Sequence, residues 1–181
     1  VKDGVDYQHT GLVRRIDVDG IKQQLDFGSI VLLSPVGYST TGEVFNLALE
    51  DVATQTAISL GADKLITFTE DEGLLDTDNS LIRSCSVRKV KELLDSYGGQ
   101  ETDHVRQLLL RAIIQSGENG VERCHCVSYI SETALLQELF TRDGAGTLIA
   151  KDHKENITTA SIDDVGGILE LIQPLEEEGV L

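Results

Sequence analysis

Residues 49–69 read LEDVATQTAISLGADKLITFT, and the apolar period changes part-way through. Leu49, Val52, Ala53, Thr56, Ala57 and Leu60 recur at steps of three and four, which places them on one face of a helix. Gly61 then stands where a C-terminal cap is needed, because glycine adopts the left-handed turn without a Cβ penalty. Lys64–Thr69 is a short apolar run of the kind that forms a buried strand, and Ser29–Ser34 (Ser-Ile-Val-Leu-Leu-Ser) reads the same way upstream. Strand, helix, strand in that order predicts a right-handed crossover in a parallel sheet.

The alternation continues outward. Asp71–Ser80 is rich in Asp, Gly and Asn and reads as a loop, whereas Val87, Val90 and Leu94 predict a helix ending near Gly98-Gly99. A second apolar face runs through Val105, Leu108, Leu109, Ala112 and Ile113, with Gly117 and Gly120 closing that helix. A strand over Val121–Tyr129 follows, then a short helix capped by Ser131 and running to Phe140. After Gly144-Ala145-Gly146 comes a strand near Thr147–Ala150, and the polar Lys151–Asn156 reads as a linker. The pattern then restarts with a strand-like Ile157–Ala160, a cap at Ser161 and a stripe of Val165, Ile168, Leu169 and Ile172 ahead of Pro174. The expected architecture is α/β, a three-layer sandwich with a mainly parallel sheet, and two units are expected, 1–152 and 157–181.

Composition narrows the function classes. The 181 residues are 40% hydrophobic and 25% charged, enough apolar material for a sizeable core. No stretch approaches the roughly 20 apolar residues of a membrane-spanning helix, and Val1-Lys2-Asp3-Gly4 lacks the layout of a secretion signal, so a cytoplasmic protein with no membrane partner is expected. With 15 basic and 31 acidic residues the net charge is −16, which repels phosphate backbones and argues against nucleic acid. Cys85, Cys124 and Cys126 follow no disulfide framework and read as reduced thiols. The sequence has no methionine, and Glu176-Glu177-Glu178-Gly179-Val180-Leu181 follows directly on an amphipathic segment, so a piece of a longer protein is expected.

Two constellations raise the question of ligands. Cys124-His125-Cys126 offers thiolates and an imidazole, but alternate residues of a strand face opposite sides, so His125 turns away from both cysteines and no metal is expected. Glu138 and the Gly144-Ala145-Gly146 turn are, by themselves, a helix-face carboxylate followed by a turn.

Three stretches together resemble the bacterial N-acetylglutamate synthases. The first runs from Arg14-Arg15-Ile16-Asp17 through Ser34-Pro35-Val36-Gly37 to Gly42-Glu43-Val44-Phe45-Asn46. The second is Arg123-Cys124-His125 with Leu135–Thr147, and the third is Ile157–Leu181. The resemblance implies the C-terminal part of an amino-acid-kinase-like regulatory domain over 1–152, then over 157–181 the first strand and helix of a GNAT acetyltransferase domain. It implies an amino-acid N-acetyltransferase that moves acetyl from acetyl-CoA to glutamate in the first step of arginine biosynthesis, inhibited by L-arginine and assembled as a homo-oligomer. Acetyl-CoA would be co-substrate of the whole enzyme, with no cofactor in this piece, because the family's catalytic groups lie in later GNAT strands; the piece alone is expected to be inactive. The arginine site maps onto His125, Glu138, Gly144 and Gly146, where Glu138 would accept guanidinium hydrogen bonds and the turn's backbone would hold the ligand's other charged end.

Related acetylglutamate kinases carry Asn-x-Asn-x-Asp at the crossover helix, and a lysine after Gly-Gly-Met that offsets phosphoryl charge. Here the matching stretch is Asn46-Leu47-Ala48-Leu49-Glu50, and Asp103 stands near the lysine position after Gly98-Gly99. An acid there would repel the phosphates, so Asn46, Glu50 and Asp103 read as degenerate kinase positions. The alternatives are an active amino-acid kinase of the acetylglutamate type and an oligomerisation domain that senses nothing.

Overall fold

The computed structural model describes residues 7–96, 104–141 and 144–151. Its elements are α1 (Val18–Asp26), β1 (Val36–Tyr38), β2 (Val44–Asn46), α2 (Leu49–Leu60), β3 (Lys64–Thr69), β4 (Ser84–Ser86), α3 (Val87–Ser96), α4 (His104–Glu118), β5 (Arg123–Ser128), α5 (Ala134–Phe140) and β6 (Thr147–Ala150). Four strands form one sheet in the order β3-β5-β6-β4. β3 runs parallel to β5, with Lys64 opposite Arg123 and Thr69 opposite Ser128, and β4 runs parallel to β6. Only the central β5–β6 pair is antiparallel, so the sheet is mainly parallel, as expected.

Alternation along β5 sorts the layers. Cys124 and Cys126 turn into the main core with Ala57, Leu65, Val90, Leu93, Leu110 and Ile113, beneath α2, α3 and α4. His125 turns to the other face, where its ring meets Glu138 of α5. Helices therefore lie on both faces and the unit is a three-layer α/β sandwich. Val90, Leu110 and Ile113 are 0 to 1% exposed, and each such side chain contributes roughly 1.5–3 kcal/mol on burial.

Local chemistry explains the helix ends. Gly61 takes the left-handed conformation (φ 65°) at the end of α2, where Ala62 N–H reaches the Ala57 carbonyl at 2.9 Å. Asp17 caps α1 by accepting from Gly20 N–H at 3.2 Å. Glu50 and Asp51 occupy the first turn of α2, where negative charge complements the helix dipole, and the Asp51 carboxylate also accepts from Val13 N–H at 2.9 Å.

Several expectations need correction. Ser29–Ser34 is not a strand: Ile30 and Leu32 are 89% and 91% exposed, and among the described residues no strand lies beside the segment. A strand needs a hydrogen-bonding neighbour as well as apolar side chains, and the crossover drawn from Ser29–Ser34 is therefore not formed. What precedes α2 is the antiparallel β1–β2 hairpin, which the sequence reading missed along with α1 and β4. Ser131 does not cap α5, which starts after Thr133 without a side-chain cap; Ser131 contributes only its carbonyl, to Ala134 N–H. Gly117 lies inside α4 rather than closing it. A Cβ there would come within 2.6 Å of Val87, so its smallness lets α3 approach, and Gly120 (φ 105°) stands just past the helix. Gly98-Gly99, the linker beyond Lys151 and the unit 157–181 lie outside the described residues.

Candidate functional site

The sheet face under α5 gathers four of the residues singled out in the sequence: His125, Glu138, Gly144 and Gly146. β5 fixes His125 between Ile66 of β3 and Leu148 of β6, its Cα neighbours in register. Following β5, α5 turns back over this face and presents Glu138 to the ring. The His125 Nδ1 to Glu138 Oε1 distance is 2.8 Å, and the two side chains are 7% and 4% exposed. The other carboxylate oxygen, Oε2, accepts from Ala145 N–H at 2.9 Å and from Gly146 N–H at 2.8 Å.

Burial alone would push the Glu138 carboxyl up. The His125 hydrogen bond, the Gly146 and Ala145 amides and the His125 charge outweigh it, and they hold the group below its ordinary value of 4.5. A carboxylate can only accept, so the hydrogen on Nδ1 belongs to His125. That leaves Nε2 as the other ring nitrogen, buried and without a hydrogen-bond partner among the described residues.

The turn is as constrained as the pair. Gly144 has φ 63°, and a Cβ on it would fall 2.6 Å from Glu138 Oε2; a Cβ on Gly146 would lie 2.0 Å from the Cys126 carbonyl oxygen. Glycine is therefore required at both positions, by conformation and contact at the first and by contact at the second. Gly144 N–H is taken by Thr141 Oγ1 at 3.2 Å. All three N–H groups of the turn are thus used inside the protein. With these amides engaged, the backbone groups the turn still has for a ligand are its carbonyl oxygens.

Glu138 is also less free than expected. Of about four lone-pair sites on a carboxylate, three are filled, so one on Oε1 remains for a guanidinium rather than a matched pair. Thr147, fully buried next in the chain, bonds the Leu74 N–H at 2.8 Å and the Ile82 carbonyl at 2.5 Å, anchoring the turn to the loop before β4. Thr141 and Thr147 were not singled out in the sequence; their hydroxyls, flanking the glycines, were the available signal.

The three thiols behave as core groups. Burial raises Cys124 and Cys85 to about 11 and Cys126 to about 12, and Cys124 and Cys126 face away from His125. Among the described residues no cluster of three or more His, Cys, Asp or Glu could hold a metal ion, and no helix is long and apolar enough to cross a membrane. Asn46 ends β2 and Glu50 opens α2, and neither is hydrogen-bonded to the His125–Glu138 pair. Asp103 lies outside the described residues.

Residues 2–128 match the amino acid kinase family. The chain belongs to this family. Within the amino acid kinase family it is 55% identical, over all 181 residues, to the amino-acid acetyltransferases of Pseudomonas fluorescens and Ectopseudomonas mendocina, and it spans 41% of the length of each. The N-acetylglutamate synthase of Neisseria gonorrhoeae, solved in complex with coenzyme A and L-arginine, is 34% identical with a TM-score of 0.79. That alignment covers 96% of this chain and 40% of the synthase. The similarity to N-acetylglutamate synthases therefore extends along the chain, and the kinase-like fold agrees with it.

Proposed function

We propose that this chain is the arginine-binding, regulatory part of an N-acetylglutamate synthase, with L-arginine seated at His125, Glu138 and the Gly144–Gly146 turn. The observation that carries the reading is the buried His125–Glu138 pair. It sets a carboxylate held in its ionised form beside a ring nitrogen that has no partner among the described residues, at a turn whose amides are already used. Among the described residues, the acceptors without a partner are one lone pair on Oε1, Nε2 and the turn's carbonyls, and a guanidinium brings five N–H donors in a planar fork. A buried, unpartnered acceptor costs roughly 1–3 kcal/mol, which a bound cation would relieve. The Neisseria synthase bound to L-arginine supports the choice of ligand.

The whole protein then transfers acetyl from acetyl-CoA to glutamate as a cytoplasmic homo-oligomer. Neither acetyl transfer nor phosphoryl transfer is assigned to this chain. Ala48 stands at the middle asparagine of the kinase pattern, Glu50 at its aspartate and Asp103 near its lysine, which disfavours an active kinase. Isothermal titration tests the reading, with L-arginine run against L-lysine and N-acetylglutamate. Saturable heat with arginine alone is expected; no binding of arginine, or equal binding of lysine, would overturn it.

A further inference from the structure

The His125 ring has two edges in different states. Nδ1 donates to Glu138 Oε1 at 2.8 Å, while Nε2 is buried with no partner among the described residues. Because the carboxylate can only accept, Nδ1 keeps its hydrogen in either charge state, and the proton that comes and goes is the one on Nε2. Nε2 is thus a lone pair in the neutral ring and a donor in the cation.

Among the described residues, one titratable side chain is hydrogen-bonded to the ring. From α5 it is Glu138. β3 brings Ile66 and β6 brings Leu148 beside His125, neither of them ionisable, and the Gly144–Gly146 turn brings no side chain that ionises. Cys124 and Cys126 lie in the core on the opposite face. Among the described residues, a single buried carboxylate therefore faces whichever positive charge enters the site.

Resting on the arginine-site reading above, we propose that a guanidinium and the Nε2 proton compete for this site, so that arginine binding expels one proton from His125. The imidazolium and the guanidinium are like charges seeking the same carboxylate, which has one lone pair left. The neutral ring instead offers Nε2 as an acceptor to the guanidinium N–H. Arginine sensing is then relieved by acid, since the protonated ring already neutralises Glu138 and presents a donor where the ligand needs an acceptor. In the balanced step, protein bearing His125-H⁺ plus the arginine cation gives the complex with neutral His125 plus one proton released to buffer.

The test is arginine titration calorimetry on the full-length protein across a series of pH values, in two buffers of different ionisation heat at each pH. The expected result is release of up to one proton per arginine on the acid side, with Kd rising towards about tenfold per pH unit there. His125→Asn keeps a side-chain N–H for Glu138 but does not titrate, so its Kd and heats should be independent of pH and buffer. Binding in the native protein with no pH dependence and no buffer dependence would overturn the inference while leaving the arginine site standing. Proton uptake would also overturn it, by showing that an imidazolium meets the ligand's carboxylate. Absence of arginine binding at every pH would remove the arginine site itself.

Discussion

Replacing Glu138 by alanine removes one side chain and strands three donors: His125 Nδ1–H, Ala145 N–H and Gly146 N–H. Each donor left unsatisfied in a buried site costs roughly 1–3 kcal/mol. The full sum will not be reached, because a surface turn can relax towards water once released, so the expected loss is about 3–4 kcal/mol. Glu138→Gln separates charge from geometry. Its amide oxygen can keep accepting from Ala145 and Gly146, while its amide N–H forces the ring to give up the Nδ1 hydrogen. Neutral bonds then replace charge-assisted ones, at an expected cost of about 1–2 kcal/mol. Urea unfolding at pH 7, read from midpoints at equal slope, measures both. Losses below about 0.5 kcal/mol for the alanine variant, a surface-like value, would refute the claim that the pair anchors the turn.

Further outcomes follow from the same geometry. Glu138 titrates lower in the folded than in the unfolded chain, so its contribution is complete above about pH 4.5, the unfolded value, and is lost as pH falls through the lower folded value. The stability gap between native protein and Glu138→Gln should therefore narrow on acidification, and a constant gap would refute the assignment. Gly146→Ala forces a Cβ to within 2.0 Å of the Cys126 carbonyl oxygen, so a loss of about 2–4 kcal/mol is expected from thermal or urea unfolding. In the full-length enzyme, Glu138→Ala should weaken arginine inhibition by about one to two orders of magnitude with turnover nearly unchanged, and His125→Ala should act the same way more weakly. An unshifted inhibition curve would remove Glu138 from the site. Cys85, Cys124 and Cys126, raised to about 11 or 12 by burial, should resist iodoacetamide at pH 8 in the folded protein and react on denaturation, as counted by mass spectrometry.

α2 and β3 were legible because the apolar period changes from helical spacing to a compact run, with Gly61 marking the break. Ser29–Ser34 misled because an apolar run reports what could be buried, not whether a neighbouring strand is present to pair with it. β1, β2 and β4 are three residues each, too short for a two-residue period to stand out, and their pairing is set by contacts distant in sequence. At the site, alternation along β5 correctly separated His125 from the cysteines. The grouping of His125 with Glu138, Gly144 and Gly146 came from family resemblance, since no local period links a strand to a turn beyond the next helix. That Glu138 uses most of its acceptor capacity inside the protein depends on rotamers, which no spacing rule reports.

The bonds that define the site are short-range along the chain. His125 to Glu138 spans 13 residues, and Glu138 to Ala145 and Gly146 spans 7 and 8. By contrast, the two Thr147 hydroxyl bonds that fasten the turn to the loop before β4 span 73 and 65 residues. Closing a chain loop costs entropy that grows with its length, and folding slows as pairings become more distant. During refolding the β5–α5–β6 segment can therefore reach its own geometry first, with the parallel strands β3 and β4 added to its two edges afterwards. A chain caught between those stages would present β5 and β6 with unpaired backbone edges, the surface on which strands of other molecules aggregate.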